Sequence, residues 1–294
     1  MATTIKNDLA TVGILVHPTN PFQQTAPLLM TTRLKSPYAG RVPAMWAEAR
    51  DTVIKHFPPP LGLPKHPETY LHKVDEIYQY DAYNSLSIEG YQVTNELINR
   101  VKSNRWNPSN NIDDNNFRNA LAAKGYYDAF QQVKMDVARI IKGENAADLI
   151  KENLQKWYQS LFKPSVQAGI LPAEALFGYR NDRVFIRNSR HAPPSKEAVG
   201  DAMEAFFHCL KNEPHPGVNA VLGHYFFVYI HPYMDGNGRL GRFLMNAFLA
   251  SGGYPWTVVR VDNRNKYISI LENTHTRFDM TDFADFIKDE MEMS

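Results

Sequence analysis

The chain has 294 residues, 44% of them hydrophobic, enough to bury one large core or two modest ones. Its 32 Lys and Arg balance 31 Asp and Glu, so no global field draws it to nucleic acid or an anionic membrane surface. Cys209 is the only cysteine, which excludes an intramolecular disulfide and makes a cysteine-based metal centre an unfavoured reading.

In chain order, prolines at 18, 21, 27 and 37 break any periodic pattern in residues 1–40, which read as an irregular arm. They contain no basic start followed by a sustained apolar stretch, and no segment approaches about 18 continuous apolar residues, so the expectation is a cytoplasmic chain without a membrane span. Helical spacing follows over 41–57, stopped by Pro58, Pro59 and Pro60, and again over 68–80. The stretch SLSIEGYQVTNELINRV, 85–101, predicts one further helix. After an Asn-rich loop comes a long helical segment over 113–142, with helices continuing to about 162. Residues 177–195, FGYRNDRVFIRNSRHAPPS, break the pattern: Val184, Phe185 and Ile186 form a β-prone core between turn formers and a double proline, which predicts a small hairpin. Helical periodicity returns over 195–212, 217–230, 239–251, 264–273 and 281–291. The expected class is mainly α with one small hairpin. Residues 1–105 are expected to be an N-terminal helical region and 106–294 the core domain.

The chemistry concentrates in HPYMDGNGRLGR, His231 to Arg242, between two apolar helices that can hold a polar loop rigid. Gly236-Asn237-Gly238 opens a helix, where free backbone N–H groups and the helix dipole favour an anion. The glycines let a phosphate approach the backbone. Arg239 and Arg242 fall three residues apart on one helix face, able to reach a polyphosphate. Asp235 supplies one hard carboxylate, sufficient for magnesium whose shell is completed by phosphate and water. His231 can accept a proton from an attacking hydroxyl near neutral pH.

This stretch resembles the Fic family motif HxFx(D/E)GNGRxxR at every signature position except Tyr233, which stands where the family usually has Phe. The resemblance implies a Fic-type helical bundle and transfer of AMP from ATP to a Ser, Thr or Tyr hydroxyl of a protein, the chain itself included, with Mg2+ bound at Asp235. His231 would be the base, Asn237 a positioning group, Gly236 and Gly238 the anion hole, and Arg239 and Arg242 the clamps of the β and γ phosphates. Both glycines and the second arginine, altered in phosphotransferase and phosphocholine-transferase relatives, are intact.

The segment Tyr179–His191 resembles the family's flap, in which Val184, Phe185 and Ile186 would meet the target. Asn263–His275 resembles the segment that closes over adenine; Tyr267 and Leu271, at i and i+4, either cover the base or belong to an ordinary amphipathic helix. Ser85-Leu86-Ser87-Ile88-Glu89-Gly90 matches the family's inhibitory pattern (S/T)xxxE(G/N), which implies that Ser85, Glu89 and Gly90 form a built-in inhibitor. His208, His215 and His224 read as packing or surface residues. Two alternatives stay open: removal of AMP at the same site, and a non-catalytic nucleotide-binding interaction protein. A homodimer is open as well; a nucleic-acid or membrane partner is not expected.

Overall fold

The computed structural model describes residues 35–103, 114–186 and 189–294. Ten α-helices succeed one another there: α1 (Tyr38–His56), α2 (Pro67–Ile88), α3 (Asn95–Lys102), α4 (Asp114–Ile140), α5 (Ala146–Gln167), α6 (Lys196–Asn212), α7 (Pro216–Ile230), α8 (Asn237–Ser251), α9 (Arg264–Arg277) and α10 (Thr281–Glu292). Lys35–Ser294 is one compact unit. Most of the arm expected over 1–40, and the boundary expected at 105, fall outside the described residues. No helix among the described residues is long and apolar enough to cross a membrane.

Helix α7, PGVNAVLGHYFFVYI, is buried from Gly217 to Ile230, because a helix that is apolar on all sides must lie inside. It packs along α8, with α1 and α6 on its other sides, while α4 and α5 pair and close over α8. The two ends of the α7–α8 connection are thereby held within the core. Where α4 crosses α5, a Cβ at Gly125 would run into the carbonyl of Leu161. Gly125→Ala is therefore expected to force the helices apart at a cost of about 1–3 kcal/mol. A thermal melt should show the midpoint falling by roughly 2–4 °C per kcal/mol; an unchanged midpoint would contradict this packing.

Two expectations need correction. The single helix over 85–101 is broken: α2 ends at Ile88 and α3 starts at Asn95. Gly90 takes φ +86°, Tyr91 N–H donates to Leu86 O at 3.1 Å and Gly90 N–H to Ser87 O at 3.0 Å, the paired closure that ends a helix on a left-handed glycine. Thr94 then caps α3 by accepting from Leu97 N–H at 3.2 Å. The hairpin expected within 177–195 forms no strand ladder among its described residues. Side chains fix that segment instead: the Arg180 guanidinium donates to the carbonyls of His231 at 2.8 Å, Asp182 at 2.9 Å, and Pro194.

Candidate active site

His231 is the first residue past α7 and adopts φ 53°, ψ 60°, a left-handed conformation that is uncommon for a residue with a Cβ and is sustained only by firm surroundings. Those surroundings are the Arg180 contact and the His231 N–H bond to Phe227 O at 3.0 Å. Nδ1 of His231 lies 3.2 Å from Val228 O. A carbonyl only accepts, so Nδ1 carries the proton and Nε2 is left as the basic nitrogen. Burial holds the pKa below the ordinary histidine value, and the charge of Arg180 adds to this against the pull of Val228 O and Glu89. The imidazole is therefore neutral at pH 7.

The loop that follows is stapled from inside. Tyr233 is buried and stacks on Tyr158 at 3.9 Å with an 8° tilt between rings, which is the anchoring expected of an aromatic there. Asn237 accepts from Tyr233 N–H at 3.0 Å and donates to Tyr233 O at 2.9 Å. Its amide thus positions the loop. Gly236 sits at φ +83° as the N-cap of α8, and a Cβ there would press on the Phe162 ring at 2.9 Å. The first N–H groups of α8 have no acceptor one turn back, and an anion in the space above Gly238 would meet this end of the helix.

That space holds a carboxylate. Arg242 Nη2 donates to Glu89 Oε1 at 2.7 Å, and a Cβ on Gly238 would collide with the same oxygen. Arg242 is 3% exposed; its Nε donates to Ser85 Oγ at 2.8 Å and its Nη2 to Ser85 O at 3.0 Å. Nη1 is buried without a hydrogen-bond partner among the described residues, a donor that a further anion would satisfy. Burial opposes ionisation of Glu89, but the charges of Arg242 and Arg239 and the Arg242 hydrogen bond outweigh it and hold its pKa below the ordinary value. Gly90, in its left-handed turn, ends α2 at this point and so fixes where Glu89 is presented.

Glu89, His231, Gly238, Arg242, Tyr267 and Leu271 line one cavity of about 400 Å3, with Ile186 in its wall. The Tyr267 hydroxyl is hydrogen-bonded with His224 Nε2 at 2.7 Å; burial pushes that histidine down to about 4. Asp235 and Arg239 line a second cavity, of about 560 Å3. The Arg239 guanidinium lies between the rings of Tyr91 and Phe162, 5.2 and 5.1 Å from their centroids. Its Nε and Nη2 are buried without hydrogen-bond partners among the described residues, although Nη2 approaches Asp235 Oδ2 at 3.4 Å as an ion pair. Phe185 is 83% exposed and Val184 is half-buried, so of the three flap residues only Ile186 faces the cavity. Arg180, Ser189, Glu272 and His275 belong to the site's walls or support; they lie within the flap-like and adenine-side segments, but the sequence did not distinguish them from their neighbours there.

Asp235 is 60% exposed on its side chain and takes Gly236 N–H on Oδ1 at 2.6 Å. No group of three or more His, Cys, Asp or Glu able to hold a metal occurs among the described residues. One carboxylate beside unpaired arginine donors suits a cation that arrives with a polyphosphate and suits poorly a metal caged by protein alone.

The Fic/DOC family model matches residues 148–249, the span from α5 to α8 that contains the loop. The chain is 41% identical over 113 residues to a protein adenylyltransferase Fic of Nematostella vectensis, covering 37% of this chain and 26% of that protein. It is 36% identical over 115 residues to the one of Drosophila virilis, covering 38% and 23%. It thus spans about a quarter of the length of these relatives. In fold it is similar to Fic-1 (residues 134–508) of C. elegans, TM-score 0.61 at 19% identity over 87% of this chain and 71% of that one. It is also similar to a Fic domain containing signaling protein of Bacteroides thetaiotaomicron, TM-score 0.58 at 17% identity over 86% and 92%. Residues 148–249, about a third of the chain, are thus the part that matches the Fic/DOC family.

Proposed function

We propose that the protein is an adenylyltransferase that moves AMP from ATP to a Ser, Thr or Tyr hydroxyl of a protein, and that Glu89 restrains it. The observation that carries the reading is the contact of His231 Nδ1 with Val228 O, which leaves Nε2 basic on a residue that lines one cavity with Gly238 and Arg242. His231 takes the proton of the incoming hydroxyl, whose oxygen bonds to the α-phosphorus as the bond to the bridging oxygen breaks and pyrophosphate leaves. Arg242 and the first N–H groups of α8 hold the departing phosphates. Arg239 adds a second guanidinium on the Asp235 side. Tyr267 and Leu271, both buried in the cavity wall, cover the base. Ile186 and the chain around it form the flap beside which the target lies, with Phe185 and Val184 as its outward contacts.

Asp235 would hold Mg2+, which when bound offsets phosphate charge during transfer. Asp235→Ala is accordingly expected to remove the magnesium dependence of ATP binding; calorimetric titrations with and without magnesium that differ as much as in the wild type would reject the assignment. The transfer itself is tested by incubating the protein and a cell lysate with ATP labelled on the α- or the γ-phosphate. Label from the α-phosphate alone should become protein-bound. Incorporation from the γ-phosphate would mean phosphoryl transfer, and incorporation from neither would favour a binding protein.

A further inference from the structure

The guanidinium of Arg242 is held from beneath by more than Ser85. Its Nε donates to Ser85 Oγ at 2.8 Å, and the Ser85 hydroxyl and the Arg242 charge both act on the neighbouring Tyr126 phenol, favouring its ionised form. Tyr126 OH donates in turn to Asp81 Oδ2 at 2.7 Å. Because Ser85 Oγ accepts from the guanidinium and Tyr126 donates to the carboxylate, the serine proton is free to turn toward the phenol oxygen. Asp81, Ser85, Tyr126 and Arg242 are all at most 3% exposed, so each bond in the chain acts at low dielectric and polarises the next. Asp81, Ser85 and Glu89 are spaced by four along α2 and its C-cap, which puts them on one face. Glu89 touches the arginine directly; Asp81 reaches it through two hydroxyls.

We propose that Asp81, acting through Tyr126 and Ser85, is a positioning residue that keeps the Arg242 guanidinium in place for the γ-phosphate once nucleotide has displaced Glu89. This rests on the reading of Arg242 as the phosphate clamp. A buried charge needs an opposite charge close by, and when Glu89 moves out the relayed carboxylate is what remains behind the arginine. Burial pushes the Asp81 carboxyl up to about 6, opposed by Tyr126 and by the charge of Arg242, so at neutral pH it is an anion. Neither Asp81 nor Tyr126 lies within 85–90 or 231–242, the two stretches that carry the motif residues.

The test uses the full chain carrying Glu89→Gly, into which Tyr126→Phe and Asp81→Asn are introduced singly and together, and reads the equilibrium affinities of Mg-ATP and Mg-ADP by calorimetry. Both substitutions keep the shape of the buried side chain. The expected result is a loss of about tenfold in Mg-ATP affinity, the scale of one buried hydrogen bond, with Mg-ADP changed by less than about twofold. The double variant should lose no more than the worse single, because both break one chain. A general loosening of the fold would weaken both nucleotides together, and that result overturns the proposal, as does an unchanged Mg-ATP affinity. If Glu89→Gly alone binds Mg-ATP and Mg-ADP equally, the γ-phosphate role of Arg242 is wrong and the proposal falls with it, an outcome visible without any measurement of AMP transfer.

Discussion

Glu89→Gly is expected to raise AMP incorporation by about 10²-fold over the wild type. The Glu89 carboxylate occupies the space above Gly238 and bonds Arg242 at 2.7 Å, the place that the proposed function gives to the terminal phosphates when the α-phosphorus faces His231. ATP that enters beside it is turned from in-line attack, and a displacement of about 1 Å can cost roughly 10²-fold in rate. The substitution also has a thermodynamic signature. Removing one partner of a buried ion pair costs roughly 3–5 kcal/mol; Glu89 is 26% exposed on its side chain, so this pair falls below that range. In the variant the γ-phosphate supplies the missing partner. The melting temperature should therefore drop without nucleotide and recover with Mg-ATP by more than the wild type gains. Equal labelling by the two proteins would mean that this pair is structural only.

His231→Ala is expected to lower AMP transfer by roughly 10² to 10⁴-fold, the usual contribution of a general base, while ATP affinity stays within a few-fold. The affinity is spared because the phosphates are held by Arg242 and the α8 N-terminus, and neither depends on the imidazole. Because burial depresses the pKa of His231, the proton-accepting form predominates at pH 7, and transfer should decline only as the pH drops below the ordinary histidine value. Kinetics with Glu89→Gly as the reference protein separate the two effects. Undiminished turnover in the double variant would remove His231 from the chemistry.

The candidate loop was legible in the sequence because its residues are local. Base, carboxylate, glycines and both arginines lie within 231–242, and the flanking apolar runs announce two buried helices. The same locality made the ends of α6 to α10 readable to within a few residues. What could not be read is set by distance along the chain. Arg180 supports His231 from 51 residues away, Asp81 meets Tyr126 across 45, and the Tyr267 hydroxyl pairs with His224 across 43; no period or spacing encodes such pairs. The break at Gly90 is a different case. The helical spacing of 85–101 overrode a glycine followed four residues later by a capping threonine, a stop and a start signal that together mark the junction. The flap misled for a third reason: β-prone residues 184–186 lack a partner strand among the described residues, and arginine bonds to three carbonyls hold the segment's backbone instead.

The measurement closest to the central claim is peptide mass spectrometry of the Glu89→Gly protein after incubation with Mg-ATP, alongside the Glu89→Gly, His231→Ala double variant. The account predicts an AMP adduct on a Ser, Thr or Tyr hydroxyl in the first and at most a trace in the second. Adducts of equal abundance in both, or unmodified protein in both at saturating ATP, would contradict it.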